Sequence, residues 1–150
     1  MLTTTGYTLG SAESVSPGDS LVYQSKGGVI YVSIQYRLGG YGFQGGADIA
    51  QHGTLNAGLL DQRLAIDWVN KHITQFGGDV NQITIMGSSA GGGSVTNQMI
   101  LYGGLANPGF QQVIAGMCCS CYQDNPILIC SRISLVAAVQ RRGSPAARVQ

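Results

Sequence analysis

The stretch Ile85–Ser94, IMGSSAGGGS, limits more than any other what this chain can fold into. It follows a short β-branched run, Ile83–Met86, which reads as a strand, and leads into Gly93–Leu101, which reads as a helix. A strand that turns directly into a helix needs small residues at the corner. Gly87, Ser88, Ser89, Ala90 and Gly91 spell G-x-S-x-G there, the context a nucleophile elbow requires. Such a turn forces its central residue into a strained backbone conformation and lifts the Ser89 oxygen above the sheet edge. The helix behind it aims its N-terminal amides at developing negative charge, and the amide of Ala90 is placed to donate to an oxyanion. Phosphate-binding loops fit less well. A Walker A loop needs a lysine after its last glycine, whereas Ser94 and Val95 follow Gly93. A dinucleotide loop needs G-x-G-x-x-G, and neither Gly87 nor Gly91 starts that spacing. A purely structural strand-to-helix turn stays open on the motif alone.

The flanking sequence supplies the rest of an α/β pattern. GGVIYVSIQY, a continuous β-branched and aromatic run, reads as a strand buried on both faces and ends in the turn RLGGYG. From Asn56 to Ile73, Leu60, Leu64 and Trp68 recur at i and i+4 with Ile66, Val69 and Ile73 beside them, which predicts a helix with a broad apolar face and Trp68 in the core. FGGD ends that helix, with Gly77 suited to a left-handed cap. FQQVIAGM predicts a third strand. Alternation of strands and helices implies an α/β domain with right-handed crossovers.

Composition sets bounds on size and partners. The 150 residues, 44% of them apolar, suffice for one modest core. A formal net charge of +1 with no basic run implies no nucleic-acid or anionic-membrane partner. No apolar stretch approaches the roughly 18 residues of a membrane span, and MLTTTGYTLG lacks the form of a secretory signal. Composition also breaks at Gly116: every glycine but Gly143 lies at or before it, and all four cysteines, Cys118, Cys119, Cys121 and Cys130, lie after it. The break predicts one domain over 1–116 and a divergent, poorly ordered tail over 117–150 ending in RRGSPAARVQ. The cysteines, with no histidine among them, read as an odd thiol or stray disulfide rather than a metal site, and no cofactor is implied.

YRLGGYGF, the opening GYTLGSAES and NAGLLDQRLAIDWVNKHITQFGGDVNQITIMGSSAGGGSV together resemble the type-B carboxylesterases, the group of α/β hydrolases that includes fungal lipases and cholinesterases. The resemblance runs from about Gly6 to Ala115 and is similar above all to fungal members, through AGGGS and the later YGG. It implies a truncated α/β-hydrolase fold with a partial, mostly parallel sheet and flanking helices. It also implies hydrolysis of a small-molecule or lipid ester through an acyl-serine, with Ser89 as nucleophile and Ala90 as oxyanion donor. Fungal relatives are often secreted.

Family members draw further oxyanion donors from a glycine run, HGGG, after an early strand. Here Thr3, Thr4, Thr5 and Gly6 precede Tyr7, so only Gly6 matches. Ser88 stands where glutamate often precedes the nucleophile, which removes a negative charge beside the site. Arg37 and Asp61 resemble a buried ion pair of the family, a structural rather than catalytic feature and one that is costly to break.

Hydrolysis by serine requires a histidine to take its proton and an acid to orient that histidine, and in this family both follow the serine in the chain. After Ser89 the only acid is Asp124, and there is no histidine. His52 and His72 both precede the nucleophile and read as a loop residue and a solvated helix residue. No complete triad can be written. The expectation is a truncated product or an imperfect gene model: either a serine ester hydrolase or the nucleophile-bearing piece of one, or else a catalytically inactive fragment or non-enzymatic, esterase-like interaction module. Sheet edges and helix faces left uncovered in such a piece predict self-association and poor solubility as a monomer.

Overall fold

The computed structural model describes residues 7–11, 18–116 and 136–141, the last as a backbone strand. Helix α1 (Asp19–Gln24), strand β1 (Val29–Val32) and the short helices α2 (Gly39–Phe43) and α3 (Ala47–His52) precede the long helix α4 (Ala57–His72). A 3₁₀ turn at Ile73–Phe76 leads into β2 (Gly78–Ser88), followed by α5 (Ala90–Ile100). A second 3₁₀ turn at Leu101–Gly103 precedes β3 (Gln112–Gly116) and β4 (Val136–Arg141).

The four strands form one sheet in the order β1-β4-β2-β3. β2 and β3 are parallel from Thr84↔Gln112 to Ser88↔Gly116, the arrangement a strand–helix–strand unit favours. β4 pairs antiparallel with both β1 and β2. β1 and β2 therefore run in the same direction with β4 between them, and the sheet holds one parallel and two antiparallel pairings. β4 lies within the stretch whose composition predicts a poorly ordered tail. Residues 117–135 and 142–150, including all four cysteines and Asp124, lie outside the described residues.

Alternation along β2 buries Ile83, Ile85 and Gly87 on one face, and α5 packs Val95 against it with no exposed surface. Tyr36, Ile66, Val69, Ile73 and Phe110 complete the core, with Ile30, Val32, Ile34 and Phe43 packed at its margin. Gly77 closes the 3₁₀ turn at φ 82°, the left-handed cap the sequence predicts.

Two sequence expectations need correction. The β-branched run forms a ladder only over Val29–Val32, and all four residues are half-buried rather than buried on both faces. The ladder is made with β4, which offers six residues and then ends. The apolar stripe of α4 is also not the one that Leu60, Leu64 and Trp68 suggest. Ala57, Gly58, Gln62, Arg63, Ile66 and Val69 are buried, while Leu64 is 69% exposed and Trp68 49% exposed. Leu64 stands two residues from both Gln62 and Ile66, about 200° around the helix from each, so burying one set exposes the other. Gln62 and Arg63 take the inner face because both find polar partners there.

Candidate active site

The parallel pair creates the site. β2 ends at Ser88 and α5 begins at Ala90, which leaves Ser89 as the corner residue and helix N-cap. Its backbone sits at φ 59°, ψ −125°, a region that a residue with a Cβ occupies only when its surroundings hold it there. Two hydrogen bonds supply that hold: Ser89 N–H donates to Gly116 O at 2.7 Å, and Gly93 N–H donates to Ser89 O at 3.0 Å. The first clamps the corner to the end of β3, and the second starts the helix. Ala90 is the first helical residue, so its N–H has no acceptor within the helix and points at the N-terminal end, where partial positive charge collects.

Close packing behind the corner depends on Gly92. A Cβ there would lie 2.8 Å from Gly116 O and 3.4 Å from Gly87 O, so only glycine lets α5 sit this near the ends of β2 and β3. Sequence reading gives that role to Gly87 and Gly91, the motif glycines, and misses Gly92. Ser88, exposed at the end of β2, pairs in register with Gly116.

The N-terminal turn comes to the same helix. Tyr7 O accepts from Gly39 N–H at 2.8 Å, and the Tyr7 ring packs on Phe43 with centroids 4.7 Å apart. The Tyr7 hydroxyl accepts from Ser94 Oγ at 3.4 Å, and it would lie 3.0 Å from a Cβ on Gly93. Gly6, the other expected oxyanion residue, lies outside the described residues. From Tyr7 a chain of buried polar groups runs inward between α5 and α4. Gln62 Nε2 donates to Ser94 Oγ at 3.1 Å, and Gln98 Nε2 donates to Leu59 O at 2.8 Å and to Gln62 Oε1 at 3.4 Å. Gln62, Ser94 and Gln98 are all at most 1% exposed, and Gln98 Oε1 is buried without a partner among the described residues. Sequence reading overlooks this network. Its one signal is that Ser94 and Gln98 recur at i and i+4 on an otherwise apolar helix face.

The remaining expected residues lie elsewhere. Arg37 Nη2 and Nε donate to Asp61 Oδ1 and Oδ2 at 2.7 and 2.8 Å, and Arg37 N–H adds a bond to Oδ2 at 3.0 Å. The pair is not buried as the family resemblance suggests: the side chains are 56% and 24% exposed, so water screens their attraction. The hydrogen bond from Arg37 lowers the Asp61 pKa against a smaller opposing effect of burial, and the same bond raises that of Arg37. His72 ends α4 and packs its ring on Trp68 at 5.0 Å between centroids. Because α4 leads through one 3₁₀ turn to the start of β2, His72 and Ser89 stand at opposite ends of that strand, which rises about 3.3 Å per residue. His52 is exposed at the end of α3. Among the described residues no helix is long and apolar enough to cross a membrane.

Residues 1–134 match the sequence profile of the carboxylesterase family. A carboxylesterase, patB, of Penicillium expansum is 45% identical over 113 residues, which is 73% of this chain and 20% of the relative. A secreted triacylglycerol lipase of Gibberella zeae is 47% identical over 106 residues, 68% of this chain and 18% of the relative. The crystal structure of Aspergillus niger EstA superposes with a TM-score of 0.64 at 39% identity over 73% of this chain and 21% of that one. The chain thus spans about a fifth of the length of the curated relatives it matches.

Proposed function

Because the chain belongs to the carboxylesterase family, we propose that it carries the nucleophile of a carboxylic ester hydrolase, with Ser89 forming the acyl-enzyme. The observation that carries this reading is the backbone of Ser89 at φ 59°, ψ −125°, held between a parallel strand and a helix N-terminus. A residue under such strain persists where its side chain must project from the corner. Ser89 Oγ would attack the ester carbonyl carbon, and the carbonyl oxygen, now negative, would accept from Ala90 N–H. The base that takes the Ser89 proton would return it to the leaving oxygen as that adduct collapses, so that the alcohol departs and the acyl-serine is left for water to cleave. Gly6 is assigned to the oxyanion site beside Ala90, in keeping with the position of its neighbour Tyr7 against α5. The substrate class is a small-molecule or lipid ester, consistent with the esterases and the triacylglycerol lipase among the relatives.

The proton acceptor is not supplied by any histidine after Ser89. We therefore assign residues 1–116 to a partial hydrolase domain whose triad acid and histidine come from outside this chain, and the chain alone is inactive. A chimera tests the assignment. Residues 7–116 replace the matching stretch of a full-length relative, and the expected result is ester hydrolysis that Ser89→Ala abolishes. A chimera that folds like its parent and shows no Ser89-dependent turnover would refute the reading. The isolated chain is expected to hydrolyse a p-nitrophenyl ester no faster than its Ser89→Ala variant. A rate well above that control would mean that a base is present in these 150 residues. A second reading, a non-catalytic interaction module, predicts the inactive outcome in both assays.

A further inference from the structure

Helix α4 and the loop that leads into β3 enclose a cleft of about 430 Å³, within the roughly 300–1,000 Å³ of small-molecule sites. The helix wall carries Arg63, Asp67 and Asn70 on successive turns, and the loop wall carries Tyr102, Leu105 and Asn107. The cleft lies away from the candidate active site. The loop enters β3 at Gln112, whereas Ser89 is clamped to Gly116, about 13 Å further along the strand.

Hydrogen bonds within the fold fix each polar group of the cleft and leave part of it free. Arg63, its side chain 9% exposed, donates through Nε and Nη2 to Asp67 Oδ1 and through Nη1 to Pro108 O at 2.6 Å. A guanidinium has further N–H donors beyond these. Asn70 Nδ2 donates to Ile66 O at 2.9 Å and to Gly109 O at 2.6 Å, and Asn107 Oδ1 accepts from Gly109 N–H at 3.2 Å. Helix and loop are therefore held in place before any ligand arrives. Among the described residues, Asp67 Oδ2, Asn70 Oδ1, Asn107 Nδ2 and the Tyr102 hydroxyl make no hydrogen bond. They are two acceptors on the helix wall, and a donor and a hydroxyl on the loop wall.

Charge in the cleft cancels, because Arg63 and Asp67 pair with each other. An ion entering it gives up water and gains no net counter-charge. A sugar hydroxyl both donates and accepts, which suits a wall of acceptors set against a wall of donors. Tyr102, 68% exposed, and Leu105, 39% exposed, supply the apolar surface on which the C–H face of a sugar ring packs. We propose that this cleft is a binding site for a neutral sugar, separate from the corner at Ser89.

Saturation-transfer NMR of glucose, maltose and cellobiose with the full 150-residue chain tests the proposal. Saturable transfer to at least one of the three is expected. The Ser89→Ala chain is expected to bind it equally, so the outcome does not depend on whether Ser89 forms an acyl-enzyme. Tyr102→Ala removes the stacking ring, and Asn107→Asp removes the amide donor while keeping the acceptor for Gly109 N–H. Both positions are exposed, and each substitution is expected to weaken binding about 10-fold. Phosphate and methylammonium are expected not to displace the sugar, an arm that needs no variant to fold. No saturable transfer to any of the three sugars would overturn the proposal. So would a bound sugar whose affinity both substitutions leave unchanged, or its displacement by either ion.

Discussion

Adding one methyl group at Gly92 isolates the close approach that holds the corner at Ser89. Gly92 lies inside α5, where replacing glycine by alanine ordinarily stabilises a helix by about 1 kcal/mol. Here the new Cβ would stand 2.8 Å from Gly116 O and 3.4 Å from Gly87 O. Both are backbone atoms at the ends of paired strands, so neither can swing aside. Relief requires α5 to retreat by roughly half an ångström, and overpacking of this kind costs about 1–3 kcal/mol. The two effects oppose each other, and the clash wins by about 1 kcal/mol, a fall of about 4 °C in melting temperature for a chain of this size. Gly116 O is also the acceptor of Ser89 N–H at 2.7 Å, so the retreat loosens the corner itself. Gly93→Ala is the control. Among the described residues its Cβ would meet only the Tyr7 hydroxyl at 3.0 Å, the tip of a side chain, and its stability should stay within about 0.5 kcal/mol of the parent. Urea denaturation of the three chains decides the matter. A Gly92→Ala chain as stable as the parent, or more so, would show that α5 does not rest on the strand ends as described.

Strain at the corner predicts that Ser89→Gly is more stable than Ser89→Ala by about 1 kcal/mol in urea denaturation, since both lack the hydroxyl and only glycine relaxes at φ 59°. Gln62→Ala should lower stability by about 3 kcal/mol, because it strips Ser94 Oγ of a donor in a fully buried site and leaves a cavity. The pH dependence has two limbs. Asp61 has a lowered pKa, so its contribution is complete above the ordinary carboxylate value of about 3.9 and is lost as pH falls through and below it, and Asp61→Asn should flatten that limb. Burial, and then the charge of Asp19, push the Tyr31 hydroxyl up to about 12 from 10.0. The unfolded chain then ionises first, stability is lost between those two values as pH rises, and Tyr31→Phe should remove that loss.

The corner was legible in the sequence because its chemistry is local. Strand, tight turn and helix follow one another within a dozen residues, and glycine and serine at fixed offsets are needed for the chain to turn there at all. The left-handed cap at Gly77 and the strand over Gln112–Gly116 were legible for the same reason. The buried face of α4 was not. A hydrophobic stripe predicts burial only when polar residues go unpartnered inside. Gln62 and Arg63 found acceptors and neighbours on segments far away in sequence, among them Ser94 and Pro108 O, so they took the interior in place of Leu64 and Trp68.

By itself the sequence determined the α/β class, the position of Ser89 at a strand-to-helix corner and the absence of a histidine after it, since each depends on residue type and short-range order. Only the tertiary structure decided which glycine admits the helix to the strand ends, how exposed the Arg37–Asp61 pair is, and that Val136–Arg141 fills the gap between β1 and β2. Those outcomes depend on distances between atoms that the chain brings together from remote positions, and no spacing along the sequence encodes a distance of that kind.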